Sequence, residues 1–154
     1  MKFDKVLVAV TAIALAAAVY SFKPAFDDQD WLAYVNRALP ESYDQSTDPK
    51  LKKVEISLTP DYFVRLRKTY AKNMQEYYSF NLHQFGDMDY LGNTTTGILS
   101  LKTMADDIIV QTYNDRHGDI DSMTTSLDIP VKNMEPERLD SLREAFNYFK
   151  AKGL

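Results

Sequence analysis

The two histidines of the chain, His83 and His117, each stand close to aspartates in segments that predict loops. Two histidines and a carboxylate form a donor set that binds divalent cations. The sequence therefore offers one candidate ligand or metal site. We expect no resident cofactor, with a divalent cation as the alternative. The candidate residues are His83, Asp87, Asp89, Asp115, His117 and Asp119.

A plainer interpretation of the second half of this set is a polar turn. The segment 114–118 reads Asn-Asp-Arg-His-Gly, and asparagine, aspartate and glycine are the residue types that favour turns. A His–Asp general-base pair would also need a nucleophile, and no serine lies in a strained Gly-x-Ser-x-Gly turn. We therefore predict no catalytic residue.

Basic and acidic side chains are segregated along the chain. Residues 50–72 carry seven Lys and Arg against two acidic residues, whereas residues 87–128 carry eight aspartates against two basic residues. Tyrosines accompany the basic stretch, and tyrosine is common at protein interfaces. The alternatives are a solvated face for the charges and core packing for the aromatic rings. The candidate partner surface is Arg65, Arg67, Lys68, Lys72, Tyr77 and Tyr78.

Composition excludes several classes of protein. A length of 154 residues is typical of one domain. The absence of cysteine excludes disulfide scaffolds, thiolate zinc sites, iron–sulfur centres and cysteine nucleophiles. A net charge of -4 argues against nucleic-acid binding.

The amino-terminal residues have the pattern of an export signal. Lys2 and Lys5 precede an uncharged stretch at 6–22, and small residues occupy its end. Seventeen helical residues span roughly 25 Å, which is short of a bilayer core of ~30 Å. The interpretations are a cleaved signal peptide, a retained anchor that contacts the membrane through residues 6–22, or a buried helix. The predicted location is periplasmic, membrane-anchored or secreted.

The elements that must position these residues begin with a helix at 27–39 that ends at Pro40. The polar segment 41–50 predicts a loop or tether that lets this helix pack elsewhere. Alternating apolar residues predict a strand at 53–58. Thr59-Pro60 is typical of a helix start, and Phe63, Leu66 and Tyr70 keep helical spacing. A change to strand is expected near 73–76.

Further along the chain, we expect a loop bracketed by Gly86 and Gly92, followed by strands at 95–103 and 108–113. One more strand should contain Met123, Leu127, Ile129 and Val131, with Pro130 favouring a sheet edge. A helix at 134–151 follows. The predicted fold is α+β: an antiparallel meander sheet of four to five strands, helices packed on one face, and a preceding apolar amino-terminal export or anchor helix. The predicted divisions are 1–22, 23–50 and 51–154.

These features favour a non-catalytic exported domain that binds a protein partner in the cell envelope. The second hypothesis is a small-ligand-binding domain with an apolar pocket between the sheet and the carboxy-terminal helix. The third is a metal-dependent hydrolase that uses both histidines.

Overall fold

Alternation between buried and exposed side chains marks several strands of this α+β protein, such as those at Phe63–Thr69 and Ser126–Lys132. The computed structural model describes residues 25–152. The helices are α1 (Asp28–Ser42) and α2 (Pro136–Lys152). The strands are β1 (Lys53–Leu58), β2 (Phe63–Thr69), β3 (Gln75–Asn81), β4 (Phe85–Gly92), β5 (Thr96–Thr103), β6 (Ile108–Tyr113), β7 (Asp121–Thr124) and β8 (Ser126–Lys132). Short 3-10 turns lie at Gln45–Thr47, Ala71–Asn73 and Leu82–Gln84.

The strands form two antiparallel sheets rather than the single sheet that the sequence predicts. One has five strands in the order β1-β2-β3-β6-β7, and the other has three in the order β4-β5-β8. The single-sheet prediction is wrong because β6 returns to pair with β3, while the intervening β4–β5 hairpin pairs with β8. Alternation reveals that a strand exists but does not reveal which strand it pairs with.

The helix predicted to begin at Pro60 is strand β2. Val64 and Leu66 are buried and alternate with exposed Arg65 and Arg67. The Thr59 side chain does not cap a helix; its Oγ1 accepts a hydrogen bond from the Phe63 N–H in the hairpin turn. Pairing with both β1 and β3 therefore overrides a local spacing that also fits a helix.

Two other boundaries differ from the prediction. The segment between Gly86 and Gly92 is part of β4, in which Met88 is buried, and is not a loop. The single strand predicted to carry Met123 with Leu127 is divided between two sheets. Met123 is 54% exposed on β7, whereas Leu127 is buried on β8. The strand predictions at 53–58, 95–103 and 108–113 are confirmed, and Pro130 lies on the edge strand β8.

Helix α1 belongs to the same core as the sheets. Asp27 and Asp30 form a reciprocal capping box at its start. The predicted end at Pro40 is wrong: the helix includes Pro40 and ends at Ser42, where the chain turns extended and Tyr43 bridges to β8. The buried face of α1 joins one hydrophobic cluster with residues from both sheets and α2.

Helix α2 confirms the carboxy-terminal helix prediction and closes the core. Leu142, Ala145, Phe146 and Phe149 are completely buried. These side chains pack with both sheets at the position where the sequence predicts an apolar ligand pocket, and the pocket itself stays a prediction. No helix within residues 25–152 is long and apolar enough to cross a membrane. The predicted export segment 1–22 lies outside the described residues.

Candidate functional site

His83 is packed into the structure at the end of β3. It lies in the 3-10 turn Leu82–Gln84, with its ring edge-on to Tyr62 at a centroid distance of 5.8 Å. Its Nε2 atom is buried and has no hydrogen-bond partner among the described residues. The packing of this ring against Tyr62 favours a structural role.

His117 lies in the exposed loop between β6 and β7. The His117 N–H donates to Asp115 Oδ1 at 2.9 Å, and the Asp115 N–H donates to Asp119 Oδ1 at 2.9 Å. These two aspartates therefore hold the turn through backbone hydrogen bonds, as the plainer sequence interpretation expects.

The two histidines lie at opposite ends of β3. His117 follows the β6 end at which Tyr113 pairs with Gln75, whereas His83 follows Asn81. Seven strand residues separate these ends by roughly 20 Å at ~3.3 Å per residue. One ion bound at ~2 Å therefore cannot take both histidines of a single chain. Within residues 25–152 no group of three or more potential ligands is placed to hold a metal.

Asp87 and Asp89 lie on β4 and pair with cations on neighbouring elements. Asp87 Oδ1 accepts from Arg143 Nη1 on α2 at 3.2 Å, and Asp89 pairs with Lys102 on β5. The hydrogen bond from Lys102 and its charge lower the pKa of Asp89. Both carboxylates therefore tie β4 to its neighbours.

The predicted partner surface is divided between the two faces of the five-stranded sheet. Arg65, Arg67 and Tyr77 lie on the outer face, because residues two apart in a strand share a face and Arg67 pairs with Tyr77 across strands. Lys68 and Tyr78 lie on the inner face. Lys72 lies in the turn between β2 and β3.

On the outer face, each arginine is placed over an aromatic ring. The Arg65 guanidinium carbon is 5.7 Å from the centroid of Phe63, and that of Arg67 is 5.4 Å from the centroid of Tyr77. Such stacking attracts the cation to the ring and leaves the N–H groups at the guanidinium edge available. We call Phe63, Arg65, Arg67 and Tyr77 the arginine–aromatic face.

Neither arginine of this face forms an ion pair with another described residue. Glu55, which lies opposite Arg67 on β1, is hydrogen-bonded to another cation: its Oε1 accepts from Lys53 Nζ at 2.9 Å. That hydrogen bond, with the charges of Lys53 and Arg67, lowers the pKa of Glu55. A shallow cleft of about 200 Å³ lies on this face, lined by Glu55, Ser57, Arg65, Arg67 and Tyr77.

On the inner face, the other basic residue is neutralised. Lys68 Nζ lies 3.9 Å from Glu76 Oε2, and the Tyr78 hydroxyl donates to the same oxygen at 3.4 Å. Burial raises the pKa of Tyr78 to about 12, and the charge of Glu76 adds to this effect. The polar groups of Lys68 and Tyr78 are therefore both engaged by Glu76 and are not free for a partner.

A second and larger cleft opens where three loops meet, at the end of the sheet that carries His117. Its volume is about 820 Å³. Sequence reasoning missed it because its walls come from segments far apart in the chain. The lining residues are Asp48, Pro49, Lys50, Lys52, Tyr70, Ala71, Lys72, Met74, Glu76, Asn114, Asp115, Arg116 and His117.

Comparison with known proteins finds no relative of this chain. The chain matches no protein-family model, and neither the curated proteins nor the solved structures give a significant match.

Proposed function

We propose that this protein is a non-catalytic interaction domain that docks an acidic segment of a partner protein on its arginine–aromatic face. The observation that carries the proposal is the pair of exposed guanidinium groups, each over an aromatic ring and neither in an ion pair with a described residue.

The chemistry of arginine supports an acidic partner. A guanidinium presents its donors in a planar fork that matches a carboxylate with two parallel hydrogen bonds. An aromatic ring beneath the guanidinium restrains its plane, so less conformational entropy is lost when a carboxylate binds. Arginine and tyrosine are also among the residues that dominate interface energies.

The position of the face on the sheet supports a protein rather than a small molecule. Its four residues come from β2 and β3, two strands in the interior of the sheet order, so their backbones are already paired on both sides. The adjoining cleft, at about 200 Å³, is smaller than the ~300–1,000 Å³ typical of small-ligand pockets. It matches a single carboxylate side chain presented from a larger surface.

Export to the cell envelope is the second part of the proposal. Its support is the pattern of Lys2, Lys5 and the uncharged stretch 6–22. Intact-mass measurement of the native protein from separated soluble and membrane fractions tests it. A chain beginning near residue 22 in the soluble fraction, or a full-length chain in the membrane fraction, agrees with export. A full-length chain in the soluble fraction contradicts it.

Binding is tested by fluorescence anisotropy with a fluorescein-labelled peptide of alternating Glu and Tyr residues. We expect saturable binding that weakens as salt rises, because exposed charges are screened. The double variant R65E/R67E should bind about 30-fold more weakly or worse, as expected for two interface arginines worth at least about 2 kcal/mol together. Equal binding by wild type and R65E/R67E would contradict the proposal.

The matched control is R37E/K132E. Arg37 on α1 and Lys132 on β8 are exposed, form no ion pair with a described residue, and lie outside the arginine–aromatic face. This variant makes the same change in net charge. If it weakens binding as much as R65E/R67E, the effect belongs to overall charge and the docking face is wrong.

A further inference from the structure

The larger cleft is built from three loops at one end of the five-stranded sheet. They are the segment 48–52 before β1, the turn 70–74 between β2 and β3, and the loop 114–117 after β6. The Asn114 side chain donates to the Asn73 carbonyl at 3.0 Å and holds the second and third loops together. With a volume of about 820 Å³, the cleft falls in the range of small-molecule sites.

The basic side chains of this cleft are not held in ion pairs within the described part of the chain. The cleft is lined by Lys50, Lys52, Lys72 and Arg116, and none of these four cations forms an ion pair with another residue of the described range. Lys50, Lys52, Lys72 and Arg116 are also exposed, so their charged ends are available to a ligand.

The three carboxylates of the cleft already have partners of their own. Asp48 Oδ1 accepts from the Lys50 backbone N–H at 3.1 Å, and Asp115 Oδ1 accepts from the His117 backbone N–H at 2.9 Å. Glu76 accepts from the Tyr78 hydroxyl and faces Lys68. The lining has four cations against three carboxylates, and one of these carboxylates, Glu76, already faces Lys68, so its formal charge is positive.

The remaining lining combines the polar Asn114 and His117 with an apolar or aromatic part from Pro49, Tyr70, Ala71 and Met74. Burial raises the pKa of the Tyr70 hydroxyl well above its usual value, and Glu76 and Asp48 raise it further. Tyr70 is therefore uncharged at neutral pH and adds no anion to the cleft. A ligand with an apolar body and a negative group would match both parts of the lining.

The backbone of Lys72 has a left-handed conformation that is unfavourable for a residue with a side chain. Its φ is 58°, and that of the next residue, Asn73, is also 58°. The left-handed region costs a residue with a Cβ roughly 1–2 kcal/mol, and glycine avoids this cost. A change of Lys72 to glycine therefore removes the charge and keeps the turn.

We propose that this cleft binds a small organic anion, with its carboxylate or phosphate group held by Lys50, Lys52, Lys72 and Arg116 and its apolar body against Tyr70 and Met74. The site shares no residue with the arginine–aromatic face, so it stands or fails independently of the docking proposal.

The test is amide chemical-shift perturbation on the full chain with four probes. Phenyl phosphate and phenylacetate carry a body and a charge, 2-phenylethanol carries the body alone, and inorganic phosphate carries the charge alone. We expect one or both of the charged aromatic probes to shift the amides of residues 70–74 and 114–117 saturably. Which of the two binds more tightly distinguishes a phosphate ligand from a carboxylate ligand.

The variant is Lys72→Gly with Arg116→Gln, and the control is Arg37→Gln with Lys132→Gln, which changes the net charge equally. The Lys72→Gly with Arg116→Gln variant should weaken binding of the charged probe about tenfold or more, while its amide spectrum still shows the folded protein. The control should leave binding unchanged.

Three results would overturn the proposal. These are no shift of the cleft amides by either charged aromatic probe, equal binding by the two double variants, and binding of 2-phenylethanol or inorganic phosphate as tight as that of the charged aromatic probes.

Discussion

Asn36 on α1 completes the hydrogen bonding of an exposed sheet edge. Strand β1 is the outermost strand of the five-stranded sheet, so its outward backbone groups have no strand to pair with. Asn36 Nδ2 donates to the Leu58 carbonyl at 2.8 Å, and the Leu58 N–H donates to Asn36 Oδ1 at 2.8 Å. The side-chain amide thus pairs with β1 as a neighbouring strand would.

We predict that Asn36→Ala destabilises the protein through these two bonds. Each is worth about 1 kcal/mol net, so their loss costs about 2 kcal/mol, because the buried Leu58 groups are left unpaired. Alanine also gains about 0.5 kcal/mol of helix propensity over asparagine. The expected net loss is therefore about 1.5 kcal/mol in the free energy of unfolding.

The matched control is Asn147→Ala. Asn147 is exposed in the interior of α2, and its side chain makes no hydrogen bond with a described residue. It gains the same helix propensity and loses no bond, so the two variants should differ by about 2 kcal/mol, or about 1 M in the urea midpoint. Urea unfolding of the full chain measures this. A difference below about 0.5 kcal/mol would refute the assignment of edge pairing to Asn36.

Other predictions concern single positions. Tyr43→Phe should leave stability unchanged or raise it by about 1 kcal/mol in urea unfolding, because the buried Tyr43 hydroxyl has no partner among the described residues; a loss above about 1 kcal/mol contradicts this. Gly97→Ala should lower the free energy of unfolding by about 1–3 kcal/mol, because a Cβ would lie 2.7 Å from Tyr90 Cε2; unchanged stability contradicts this. The hydrogen bond from Lys152 lowers the pKa of Asp28, so its contribution to stability is present above about pH 4 and is lost as the pH falls through the lowered value. Between about pH 4 and pH 2, the free energy of unfolding should therefore fall less in Asp28→Asn than in wild type. An equal fall in both proteins would contradict this.

The sequence predicts elements whose pattern is local. The sequence predicts helix α2 because its start and end residues and its apolar stripe agree along one continuous segment. Strand β2 was missed because Phe63, Leu66 and Tyr70 match a helix as well as the Val64–Leu66 alternation matches a strand, and only pairing with β1 and β3 decides between them.

The candidate sites depended on contacts that composition cannot show. Arg67 and Lys68 are neighbours in sequence, yet opposite faces of β2 separate them, and Glu76 neutralises only Lys68. A correct strand prediction for β2 would have separated these two residues by parity alone. The large cleft was beyond sequence reasoning, because its Lys50, Lys72 and Arg116 come from three loops.

Site-directed photo-crosslinking in the native cells tests docking on the arginine–aromatic face most directly. A photoreactive p-benzoylphenylalanine at Glu55, in the small cleft of that face, should give one dominant crosslinked protein. The same group at Arg37 on α1 should not, and R65E/R67E should abolish the product from position 55 while R37E/K132E preserves it. Equal crosslinking from both positions, or a product that survives R65E/R67E, would contradict docking on this face.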